Sequence, residues 1–231
     1  MCKHRRFYAL ILLCLALCLA GCSTTIGYAP TSMDLPTATS VADMEQAADL
    51  IVVGRYTEEL PSYNKSRDPA DPSKENTSTP IIGRIFQFEV SQVIKGNLES
   101  RTIQVSIPWS TTREYKPSVR QLGMGEDPIS YTYQDPRFVL PQYDTDYLLF
   151  LDYSTVSGHH YGAVEPWSVI CRSDGSAALC SGLLNAQGPF QLEGSIANSR
   201  KTLTVALDMG TVSDFLGNVT FEEICQQASI N

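Results

Sequence analysis

The feature that most constrains this chain is period-two alternation of apolar and polar residues. In GRIFQFEVSQVIKG, residues 83–96, Phe86, Phe88 and Val90 alternate with Gln87 and Glu89. Such spacing puts the apolar side chains on one face of a strand and cannot do so on a helix. Lys95-Gly96-Asn97 supplies the turn that follows. TIQVSIPW alternates again through Ile103, Val105 and Ile107 until Pro108 interrupts it. DLIVVGRY, residues 49–56, reads as a buried first strand with a bulge or bend at Gly54. DYLLFLDY, residues 146–153, is a mostly buried strand, and HYGAVEPWSVI and AALCSGLL supply later ones. Ser40 with Asp43, and Thr220 with Glu223, have the spacing of capping boxes and predict short helices at 41–48 and 221–229. The chain is therefore expected to be mainly β, with one short helix near each end.

Two segments fall outside this pattern. Residues 61–80, PSYNKSRDPADPSKENTSTP, hold four prolines and no Val, Ile, Leu or Phe, and predict a long mobile loop. Residues 109–140 read as loop with one short strand at ISYTY. The second loop carries Trp109, Tyr115, Tyr131 and Tyr133 beside Arg113, Lys116 and Arg120. Exposed aromatics among polar groups can stack on sugars or anchor a peptide, which makes these four the candidate binding surface; the alternative is that they fold inward and cover the mouth of a barrel.

The N-terminus addresses location. Lys3, Arg5 and Arg6 precede the uncharged run FYALILLCLALCLA, which is too short for a permanent membrane span and fits a signal peptide. It ends in Leu19-Ala20-Gly21-Cys22, which resembles the lipobox of bacterial lipoproteins. In that family the cysteine thiol is diacylglycerylated and the peptide is cut before it, here between Gly21 and Cys22. Two acyl chains give a durable anchor where one gives marginal binding. The resemblance implies a signal peptide over 1–21, a lipidated N-terminus and flexible tether over 22–38, and a single β-rich globular domain over 39–231.

Charge agrees with an anchor made of lipid. Cleavage would remove three of the 17 Lys and Arg and none of the 25 Asp and Glu, leaving 14 against 25, a net charge of −11. Such a surface repels nucleic acid and anionic headgroups. With 43% hydrophobic residues the chain has ample material for a core.

Three of the seven cysteines lie beyond Cys22: Cys171, Cys180 and Cys225. CRSDGSAALC reads as a hairpin with Asp174-Gly175 at its tip. A four-residue loop would set Cys171 opposite Cys180, where a disulfide fits, whereas a two-residue loop would set Cys171 opposite Ala178. Three buried thiols are the alternative.

No residue pattern identifies a reaction. Motifs for a serine nucleophile, a P-loop, a dinucleotide site or a zinc protease are absent, and no cofactor or metal is expected. His159 and His160, adjacent on a strand, would face opposite sides. Asp144 and Asp146 read as the turn entering a strand more readily than as a Ca²⁺ site. Glu222 and Glu223 suit the first turn of a helix.

The strand order ADLIVVGRY, FQFEVSQVIKGN, TIQVSI, DYLLFL, VEPWSV, over residues 48–170, resembles the OB-like barrel of netrin-like domains, which include the tissue inhibitors of metalloproteinases. That resemblance implies an OB-like β-barrel and a binding platform. The family's inhibitors ligate a target zinc through a free N-terminal cysteine. Cys22, acylated, would not serve, so that activity is not carried over. The expected function is that of a lipid-anchored, extracytoplasmic, non-enzymatic module on the bacterial membrane, binding a protein, peptide or glycan of the envelope. The alternatives are an enzyme using two carboxylates in one cleft, or a structural partner of a membrane complex.

Overall fold

The computed structural model describes residues 25–116 and 128–229. These are mainly β, as expected. Eleven strands run in chain order as β1 (Thr25–Met33), β2 (Leu50–Asn64), β3 (Ile81–Lys95), β4 (Thr102–Tyr115), β5 (Ile129–Gln134), β6 (Tyr147–Ser154), β7 (His159–Gly162), β8 (Ser168–Cys171), β9 (Ala177–Leu179), β10 (Phe190–Ile196) and β11 (Thr202–Met209). Helix α1 (Val41–Ala47) follows β1, and helix α2 (Phe221–Gln227) follows β11.

Five of the strands form a circuit. β2 pairs antiparallel with both β3 and β6, β3 with β4, and β6 with β7. A parallel bridge between Val105 and His160 joins β4 to β7 and returns the pairing to its start. The alternating residues of the sequence point into this circuit: Phe86, Phe88, Val90, Ile103, Val105 and Ile107 pack with Val52, Tyr56, Leu149 and Leu151. Tyr56 makes edge-to-face contacts with Phe86, Phe88 and Tyr147, a geometry that aromatic quadrupoles favour. Gly54 lies where the β2–β3 register shifts, as its position in the run predicts. A Cβ there would stand 2.0 Å from the Glu89 carbonyl oxygen, so the close approach needs glycine.

A second layer covers the other face of β2 and β6. Ile51, Leu148 and Phe150 point away from the circuit and pack with Leu203, Val205 and Leu207 of β11 and with Met44, Phe221 and Ile224 of the two helices. This explains YLLFL: a strand buried on both faces loses its alternation. The sheet runs on from β4 through β5, β10 and β11 to β1, which pairs parallel with β11.

Ser40 caps α1 by accepting from the Asp43 N–H at 3.2 Å, while the Asp43 carboxylate turns to Thr39. Lys95 donates to the Glu45 and Ala48 carbonyl oxygens at 2.8 and 2.7 Å, satisfying the end of that helix. The Thr220–Glu223 box at the head of α2 is complete.

Several expectations need correction. Of the tether expected over 22–38, residues Thr25–Met33 are a strand, β1. Residues 61–64 belong to β2, and 109–115 to β4. Residues 65–80 are a loop with its own bonds. The Asn64 amide donates to the Asn76 carbonyl at 2.8 Å and accepts from the Ser66 and Ile81 N–H groups. Strands β10 and β11 lie in a stretch for which the sequence reading proposed no element. Cys22 and Gly21 lie outside the described residues, as does the part of the 109–140 loop over 117–127 that carries Arg120.

Candidate functional site

The two long loops converge. Lys65, at the start of the first, and Asp135 and Arg137, after β5 in the second, meet Glu165 at a recess of about 140 Å³ beside Pro36, Tyr161 and Trp167. The recess lies at the seam between the circuit and the second layer. Gly83 admits the lysine, since a Cβ there would stand 3.1 Å from its Cδ. Trp167 lies against Gly162, where a Cβ would be only 2.2 Å from the indole.

Charge in the recess is partly matched internally. Arg137 grips Asp135 in a fork, Nε to Oδ1 at 2.9 Å and Nη2 to Oδ2 at 2.6 Å, and its N–H donates to Oδ1 at 2.9 Å. This is the bidentate geometry in which arginine holds a buried carboxylate. Burial pushes the Lys65 ammonium below its usual range, with the Arg137 charge acting in the same direction.

Glu165 is the unusual group. It is 4% exposed, and its Oε1 has no hydrogen-bond partner. Its backbone is fixed by segment 36–38, donating to the Pro36 carbonyl at 3.2 Å and accepting from the Ala38 N–H at 2.8 Å. Burial pushes its carboxyl up to about 7, against a hydrogen bond from Ser181 and the Arg137 charge, both of which lower it.

Beside the recess is an aromatic surface. The Arg84 guanidinium lies 4.9 Å from the Phe138 ring and 5.8 Å from Trp109, and is held by the Glu59 carboxylate. Trp109 is 38% exposed, and Val139, Leu140 and Tyr143 are exposed near Phe138 in the chain.

The expected aromatic surface is thus redrawn. Trp109 is at the surface, and Tyr115 is partly buried against the second-layer core. Tyr131 and Tyr133, 3% and 2% exposed, are core residues with stacked rings. Residues i and i+2 of a strand share a face, and on β5 that face is the covered one. Arg84, Phe138, Lys65 and Glu165 were missed. A glutamate within the apolar run GAVEPWSV was the available signal for the last.

Cys171, Cys180 and Cys225 are free thiols. The hairpin pairs Cys171 with Ala177, and Arg172 with Ser176 through a three-residue loop whose Gly175 has φ +81°. Neither anticipated register forms, and Cys180 sits opposite Ser168. Asp146 is forked by Arg55 at 2.5 and 2.9 Å, which lowers its pKa. His159 and His160 lie against different rings, tilted on Tyr63 and Tyr153. Among the described residues no three of His, Cys, Asp and Glu gather as metal ligands, and no helix is long and apolar enough to cross a membrane. Comparison with protein-family models, with curated proteins and with solved structures gave no match to this chain.

Proposed function

We propose that this chain is a bacterial lipoprotein, cut between Gly21 and Cys22 and anchored through lipid on Cys22, whose OB-like body is a non-enzymatic binding module of the cell envelope. The OB-like reading is supported by a circuit of five strands around one aromatic core, the strand number of that fold. The observation that carries the binding reading is the convergence of both long loops on one recess, with the Trp109–Arg84–Phe138 surface beside it. A recess of this size takes one side chain, and the exposed aromatics take the residues flanking it. A peptide or protein segment suits that shape best.

The test uses the full-length protein in membranes of an expressing bacterium, with a photo-crosslinking residue replacing Trp109 or, in a second strain, Tyr153. A product from position 109, absent from 153 and lost with Arg84→Ala, is the expected result. Equal products from both positions, or none, would reject a binding surface here. The anchor is checked separately by intact mass beside a Cys22→Ala variant. The carboxylate-enzyme reading draws on one observation, Glu165 raised to about 7 beside Asp135. Since Asp135 is already held by Arg137, only one of the two carboxylates is available.

A further inference from the structure

The β8–β9 hairpin separates its two cysteines. Val169 and Cys171 of β8, with Ala177 and Leu179 of β9, face the second-layer core, whereas Ile170 and Cys180 face the circuit. Alternation puts Cys171 and Cys180 on opposite sides of one sheet, where no disulfide can join them. The face that bears Cys171 is the one α2 covers. Phe221 and Ile224 of that helix are buried in the same core as Val169 and Ala177, and Cys225 packs against it beside them. The approach to the helix is laced to the hairpin. The Ala177 N–H donates to the Val219 carbonyl at 2.9 Å, and the Phe221 N–H to the Gly175 carbonyl at 3.0 Å. Cys225 lies one turn beyond Phe221, and Cys171 lies one strand beyond Ala177.

We infer that Cys171 and Cys225, both free thiols in the structure, form a disulfide on oxidation that fastens α2 to the β8–β9 hairpin. The inference rests on the export reading, because such bonds persist in oxidising compartments. Burial, and after it the neighbouring Cys171, pushes the Cys225 thiol up to about 11. The oxidant is a disulfide, either a thiol–disulfide oxidoreductase of the envelope or a small-molecule disulfide. The Cys171 thiolate attacks one of its sulfurs, its S–S bond breaks, and a mixed disulfide forms with release of the first thiol. The Cys225 thiolate then attacks the Cys171 sulfur, expelling the second thiol. Two electrons pass to the oxidant, and the two protons lost from the cysteines end on its sulfurs.

The experiment treats purified full-length protein with oxidised glutathione, alkylates the remaining thiols and measures intact mass with and without reduction. Loss of two hydrogens, with Cys180 alkylated and a reducible peptide joining Cys171 to Cys225, is expected. Cys171→Ser and Cys225→Ser should each abolish it, Cys180→Ser should preserve it, and closing so long a segment should raise Tm by roughly 10 °C. Alkylation at all three of Cys171, Cys180 and Cys225 after oxidation, or a bridge to Cys180, would overturn the pairing. Protein extracted directly from membranes distinguishes the two readings. A bridge that forms with glutathione but is missing from lipidated, exported protein counts against the oxidising compartment and leaves the pairing standing.

Discussion

The circuit and the second layer share β2 and β6 yet are built differently. Within the circuit, β3 and β4 are long strands paired to their sequence neighbours, and their inward residues alternate. The second layer gathers β1, β5, β10, β11 and both helices, pieces drawn from both ends of the chain and, in β5, from its middle. The first kind of core is specified locally, by spacing along each strand. The second is specified by what closes over β6, a strand whose YLLFL run has to be covered on both faces.

The sharpest way to break this comparison is to hollow out each core in turn. Phe88→Ala, inside the circuit, should cost about 4 kcal/mol, and Leu207→Ala, in the second layer, about 3 kcal/mol. Because both cores pack on β6, urea unfolding followed by far-UV CD and by tryptophan fluorescence should give one coincident transition for each variant. Separate transitions in the Leu207→Ala protein would mean that the circuit stands without its cover.

Legibility follows the same division. Phe86, Phe88, Val90, Ile103, Val105 and Ile107 could be placed from their spacing, as could Gly54 at its irregularity and both capped helices. The second layer was obscured because, apart from the β10–β11 hairpin, its pairings join distant parts of the chain. β1 precedes its neighbour β11 by most of the chain, and a parallel pairing across that distance leaves no turn signal in between. Tyr131 and Tyr133 took the inward alternative, because the core built with β11 covers the face they occupy. The recess was legible only in outline. Its two loops stood out by composition, but their meeting around Glu165 depends on Pro36 and Ala38 holding that residue from beneath.

Glu165, at the seam, tests whether the layers meet as described. Its folded pKa, about 7, lies above the unfolded value of 4.5, so the folded protein binds the proton more tightly. Its contribution to stability is complete below pH 4.5 and is lost as pH rises through 7. Above that, wild type bears a penalty of about 3 kcal/mol that Glu165→Gln escapes. The two proteins should be equally stable at pH 4 and diverge by that amount at pH 8. Parallel stability curves would show that Glu165 is hydrated, and that the seam is open to water.

The cap on α2 sharpens the comparison at smaller scale. Thr220→Ala removes the hydroxyl that accepts from the Glu223 N–H and leaves the backbone half of the box, in a two-turn helix that covers the second layer, and should cost about 1 kcal/mol. Ser40→Ala, at α1, should cost less. Lys95 secures the far end of that helix, and the Asp43 carboxylate bonds to Thr39 whether or not Ser40 is present. Thermal melts of the two variants compare the helices directly, and a larger loss at Ser40 would reverse the assignment of α1's anchor to Lys95.

The smallest effect belongs to the outside of the circuit. Arg55 and Asp146 form a forked pair joining the end of the β2–β6 ladder to the entry of β6, with side chains 56% and 38% exposed. At that exposure water and salt screen most of the attraction, so the pair adds little to stability. Arg55→Ala should therefore shift the urea midpoint only slightly, and the shift should vanish in high salt. A loss as large as that from Phe88→Ala would mean that the pair sets the register of β6, making the circuit's edge and not its aromatic core the feature that decides how the two layers are joined.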